Sequence, residues 1–143
     1  MNAVSIKIQI NIQEKRLSSF QNDLAGYEKA LERIIIAKTA LEQKQKQYEN
    51  EFRNANSSYP AKIMAIDSLG LIGVEKIQEG IRDAYSGNRE KIFAANVENT
   101  LSGIQRKKNR EEEKISKCKR NITSAKNAIE SLKKQYAMTL SGN

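Results

Sequence analysis

Read from Val97 in steps of four and three, the last third of the chain gives Val97, Leu101, Ile104, Lys108, Glu111, Ile115, Cys118, Ile122, Ala125, Ile129, Leu132 and Tyr136. Ten of these twelve positions are apolar or amphipathic, and the phase never slips. An apolar position every three or four residues in strict alternation draws a narrow stripe along a helix, and such a stripe must pack lengthwise against a second helix. The spacing predicts a long helix over residues 89–138, with Phe93 and Val97 leading into its seam.

A second register starts at Ile10 and runs through Gln13, Leu17, Phe20, Leu24, Tyr27, Leu31, Ile34, Lys38, Leu41, Gln45, Tyr48 and Phe52. It predicts a first long helix over residues 5–54. Ile35 and Ile36 widen the stripe beside Ile34, which suits contact with a further partner. Gly26 weakens the helix by about 1 kcal/mol relative to alanine and suggests a close helix approach. The alternation Ile6, Ile8, Ile10, Ile12 also fits a strand, but a lone strand would have nothing to pair with, so a frayed or partner-bound helix start is expected. Asn54 to Pro60 is turn chemistry, and Pro60 disfavours helix at Tyr59, so the first helix is expected to stop near Asn54.

Between the two registers, Ile63, Met64 and Ile66 suit a short helix. Leu69-Gly70-Leu71-Ile72-Gly73 is an apolar break, and Val74, Ile77 and Ile81 return to helical spacing. Residues 61–84 therefore read as a short helical tip, with Leu71 and Ile72 as a satellite core or a docking surface. Tyr85-Ser86-Gly87-Asn88 forms the next turn. The expected fold class is all-α: a single domain built as a long antiparallel helical hairpin, coiled-coil-like, with short helices at its tip. Helices of 45–50 residues would each be roughly 70 Å long. In that hairpin Lys38 and Glu111 fall at comparable heights and are expected to pair or tolerate each other, trading stability for register.

The composition fits this picture. The chain of 143 residues has one Pro, no Trp and only 6% aromatic residues, too few for a compact globular core. Its mean hydropathy of -0.68 suits narrow seams between broad solvated faces. The net charge of +8 is uneven: residues 1–60 carry nine basic against seven acidic groups, residues 61–88 three against four, and residues 89–143 thirteen against six. The excess therefore sits almost wholly on the C-terminal helix, where it could attract nucleic acid, anionic lipid or an acidic protein. The run Arg106, Lys107, Lys108, Arg110, Lys114, Lys117, Lys119, Arg120 has no interleaved aromatics for base stacking and is diluted by Glu111, Glu112 and Glu113. An acidic helical partner is the better use of that charge, and nucleic acid is not expected.

No histidine is present, which removes imidazole acid–base chemistry, Ser-His and Cys-His nucleophile pairs and most transition-metal sites. The single cysteine excludes an intrachain disulfide, and Cys118 on the seam reads as a small buried apolar residue. No catalytic residue, cofactor or metal ligand is expected. The Gly70/Gly73 pair is no phosphate loop, because no Gly-Lys-Ser/Thr follows. The N-terminus lacks a continuous apolar run, so neither a signal peptide nor stable membrane insertion is expected.

Tyr85-Ser86-Gly87, an aromatic-x-Gly turn between two amphipathic helices, resembles the Trp-x-Gly hairpins of type VII secretion substrates, with Tyr85 where Trp would stand and Gly87 matching the glycine. The wider layout is similar to the YwqH-like family of small helical proteins encoded with LXG-domain toxins in Gram-positive bacteria: a heptad helix, an apolar middle, the aromatic-x-Gly turn, Phe93, then a long Ile/Leu/Lys/Glu helix. The export signal Tyr-x-x-x-Asp/Glu is not met at Tyr136, where Leu140 holds the acidic place. The resemblance implies a non-enzymatic accessory or targeting chaperone, cytoplasmic or co-exported with its partner. Such a protein binds the helical N-terminal domain of a toxin or a sister small helical protein. The alternative is a homo-oligomeric coiled-coil structural or secretion-apparatus component. The candidate partner-binding residues are Ile6, Ile10, Ile35, Ile36, Leu71, Ile72, Tyr85, Gly87 and Phe93.

Overall fold

A computed structural model describes residues 2–67 and 88–142, with side chains over 2–55 and 88–142. Two helices account for them: α1, Ala3–Asp67, and α2, Asn88–Ser141. The described residues contain no strand. The Ile6/Ile8/Ile10/Ile12 alternation is helical. Asn2 caps its start, with Oδ1 accepting from the Ser5 N–H at 2.8 Å and the Asn2 carbonyl accepting from the Ile6 N–H at 3.1 Å. At the far end of α2 the Gly142 N–H reaches the Met138 carbonyl at 3.0 Å, and the Ser141 hydroxyl donates to the same carbonyl at 3.1 Å. These two donors serve a terminal carbonyl that has no partner further along the helix.

The chain divides into two compact units. Unit 1 comprises residues 1–35 and 106–143. In it α1 and α2 pack antiparallel: Glu14 meets Lys133, Phe20 meets Cys118, and Tyr27 meets Lys114. Its core is aliphatic, with Ile6, Ile10, Ile115, Cys118, Ile122, Ala125 and Ile129 all buried. Unit 2 comprises residues 36–105 and is also antiparallel among its described residues, with Lys38 beside Gln105 and Phe93 against both Tyr48 and Phe52. Val97 is its buried aliphatic residue among those described.

The heptad registers account for this burial. All twelve α2 seam positions from Val97 to Tyr136 are buried or half-buried, and so is each α1 position from Ile10 to Phe52 except Tyr48. Tyr48 still packs its ring edge-on against Phe93 at 5.1 Å. The fold is all-α, a long antiparallel helical hairpin.

One expectation is corrected. α1 does not end near Asn54, and residues 61–67 are not a separate short helix: α1 continues through Asn54, Pro60 and on to Asp67. Nucleation is the costly step of helix formation, whereas Asn and Ser cost a growing helix only a few tenths of a kcal/mol each. Pro60 removes one hydrogen bond, a local defect that a continuing helix can span. Lys38 and Glu111 fall in different units, and each has contacts within its own. The Lys38 ammonium lies 3.4 Å from Gln105 Oε1 and 4.0 Å from Glu42, and Glu111 is bound by Lys114 at 3.1 Å. The rest of the expected tip, residues 68–84, lies outside the described residues.

Candidate functional site

The expected partner-binding residues separate into three groups. Ile6 and Ile10 are 1% and 9% exposed, so they belong to the intrachain core, contrary to their expected role as an outward stripe. The reason is geometric. In a helix, residues four apart share a face and residues two apart lie on roughly opposite faces. Ile6 and Ile10 therefore take the seam, while Ile8 and Ile12, with Val4 one turn earlier, point away at 53%, 42% and 69% exposure. Ile35 and Ile36 are exposed, beside the seam residue Ile34. Phe93 is half-buried, its ring 5.1 Å from Tyr48 and 5.7 Å from Phe52, which makes it part of unit 2's own packing. Leu71, Ile72, Tyr85 and Gly87 lie outside the described residues.

Several apolar side chains that sequence reasoning passed over are also bare. They are Val4, Ile8 and Ile12 on α1, and Ile92, Met138 and Leu140 on α2. Val4, Ile8 and Ile12 were detectable as an i, i+4, i+8 series out of phase with the seam. Gly26 is exposed on α1, and a Cβ built there would meet nothing within 4 Å, so no close approach within the chain requires glycine.

Two polar features of the unit 1 seam bear on its chemistry. The Cys118 thiol is buried and donates to the Phe20 carbonyl at 3.0 Å. Burial pushes its pKa up, the Asp23 carboxylate adds to the rise, and a hydrogen bond from the Leu24 backbone opposes it. This is the environment of an inert structural thiol. Glu111 holds the other feature: Oε1 takes Lys114 at 3.1 Å, while Oε2 is buried with no hydrogen-bond partner. Lys114 also sits 5.6 Å above the Tyr27 ring, a distance at which the cation is attracted to the ring face.

The basic run is largely a solvated face with local ion pairs, Lys108–Glu112 at 3.8 Å and Lys114–Glu111 at 3.1 Å. Further along α2, a recess of about 470 Å³ opens between the helices of unit 1. Leu17, Ile129 and the exposed Ala137 are its apolar lining, and Lys126, Lys133 and Lys134 stand around it as its rim. Glu130 on the same rim pairs with Lys134 at 3.3 Å, and Lys133 lies 3.8 Å from Glu14.

Among the described residues no three His, Cys, Asp or Glu side chains converge as metal ligands. No described helix is long and apolar enough to cross a membrane. Set against protein-family models, curated proteins and solved structures, the chain matches none.

Proposed function

We propose that this chain is a non-enzymatic helical interaction protein. In this reading it is an accessory or targeting chaperone that binds the helical N-terminal domain of a type VII-secreted LXG toxin, in the cytoplasm or carried out with its partner. The observation that supports the binding role is the apolar surface left over once the intrachain seam is filled. Val4, Ile8, Ile12, Ile35, Ile36, Ile92, Met138 and Leu140 are all more than two-fifths exposed. A two-helix hairpin has one seam to bury, and surplus apolar stripes on its outer faces are what a larger bundle covers with further helices. The type VII assignment rests on the resemblance of the Tyr85-Ser86-Gly87 sequence, and of the residue pattern around it, to that family.

Co-expression with the N-terminal domain of an LXG toxin tests the reading, followed by size-exclusion chromatography with light scattering. A discrete heterocomplex is expected. A chain that stays a monomer beside that domain refutes it, and a stable homo-oligomer that ignores the domain favours a structural stalk.

A further inference from the structure

The formal charge is divided as sharply as the burial. Unit 1 holds sixteen basic against eight acidic residues, a net of +8, while unit 2 holds nine against nine. The entire net charge of the chain therefore belongs to the unit that also contains the recess over Leu17, Ile129 and Ala137. Three lysines stand on that rim, and Lys133 and Lys134 are 62% and 74% exposed. Their pairs with Glu14 and Glu130 are open to water and readily exchanged for others.

We propose that this recess is the docking groove for an acidic amphipathic helix, which seats its apolar residues on Leu17, Ile129 and Ala137 and sets its carboxylates against Lys126, Lys133 and Lys134. This inference rests on the interaction-protein reading above and names the chemistry and the seat of the partner. A helix laid into the groove between two helices is a common way to bury a shallow apolar floor. The charge selects its sign. A second copy docking through its own unit 1 would bring +8 against +8, so self-docking of this unit on itself is opposed. A lipid surface suits the positive charge but not the geometry, because a recess between two helices is filled by projecting side chains rather than by a bilayer plane. The rim also lacks the Trp or Phe that typically anchors an interfacial helix.

The test uses the full chain and a labelled synthetic helical peptide with Leu and Ile at heptad seam positions and Glu elsewhere, followed by fluorescence anisotropy. A counterpart with Lys in place of Glu serves as control. The acidic peptide is expected to bind at least about tenfold more tightly at low salt, with the preference falling as salt is added. Ala137→Arg, which fills an exposed part of the recess, should weaken binding about tenfold, and Lys126→Gln/Lys133→Gln/Lys134→Gln should abolish the preference for Glu over Lys. These positions face solvent, and far-UV circular dichroism checks that both variants remain folded.

Equal binding of the two peptides overturns the proposal, as does full acidic-peptide binding by Ala137→Arg. So does phosphatidylglycerol-vesicle binding that Ala137→Arg abolishes while peptide binding is untouched, or a self-dimer lost in the same variant. A toxin-domain complex that forms and tolerates both variants overturns this groove and leaves the interaction reading standing. Absence of that complex, with the acidic peptide still bound at the groove, overturns the toxin reading alone.

Discussion

Replacing Glu111 by leucine should stabilise the protein. The carboxylate occupies a seam position with its side chain only 16% exposed, and Oε2 is buried without a partner. An unmet buried acceptor costs about 1–3 kcal/mol. The compensating pair with Lys114 spans 3.1 Å, but that lysine is 52% exposed, and pairs so open to water return about 0.2–1 kcal/mol. The carboxylate is therefore a net liability of roughly 1–2 kcal/mol, and a leucine in the same seam adds apolar burial on top. For a chain of this size the gain corresponds to a thermal midpoint about 3–8 °C higher. Urea unfolding followed by far-UV circular dichroism measures it, and an unchanged m-value shows that the surface exposed on unfolding is the same as in the parent. Glu111→Ala separates the contributions, since it removes the unmet oxygen without adding packing and should gain less than leucine. A Glu111→Leu protein less stable than the parent by about 0.5 kcal/mol or more would show that the Lys114 pair outweighs the unmet oxygen, and the reasoning would fail.

Other outcomes follow from the same geometry. Ile6→Ala removes a side chain 1% exposed and should cost about 2–5 kcal/mol in urea unfolding, whereas Ile8→Ala, 53% exposed, should change stability by less than about 0.5 kcal/mol. Equal effects at the two positions would contradict the division of the isoleucines between opposite faces. Gly26→Ala meets no neighbour and should stabilise by about 0.5–1 kcal/mol in the same assay. The Cys118 pKa is raised on folding, so the protonated thiol is favoured by the folded state. Its contribution is fully present below the unfolded thiol's pKa and is lost as pH rises through the folded value. Cys118→Val should therefore flatten the alkaline limb of a stability–pH profile, and an unchanged limb would remove the thiol as its cause.

Legibility tracked the kind of force at each position. The seam was readable because burial along a helix repeats: Val97 through Tyr136 announced itself by spacing alone, and even the polar Lys108 and Glu111 kept their places in it. The end of α1 was misread because Pro60 and the Asn and Ser before it carry only local preferences, which a helix already formed can override. The alternation of Ile6, Ile8, Ile10 and Ile12 suggests a frayed or partner-bound start, but helical geometry sends Ile6 and Ile10 inward and Ile8 and Ile12 outward. The recess and its lysine rim depend on how Leu17 lies against α2, which no periodicity encodes.

Cys118 is the only thiol in the chain, and it is shut inside the unit 1 seam against Phe20. At 4% exposure the thiol meets an alkylating reagent mainly when the two helices part there. When reclosing outpaces alkylation, the labelling rate is the intrinsic thiol rate scaled by the fraction of time the seam stands open. The protein thus carries a built-in stopwatch for its own breathing. Any partner that binds only the closed hairpin must slow that clock by the factor it adds to stability, so an unlabelled ligand could be recognised by timing one cysteine.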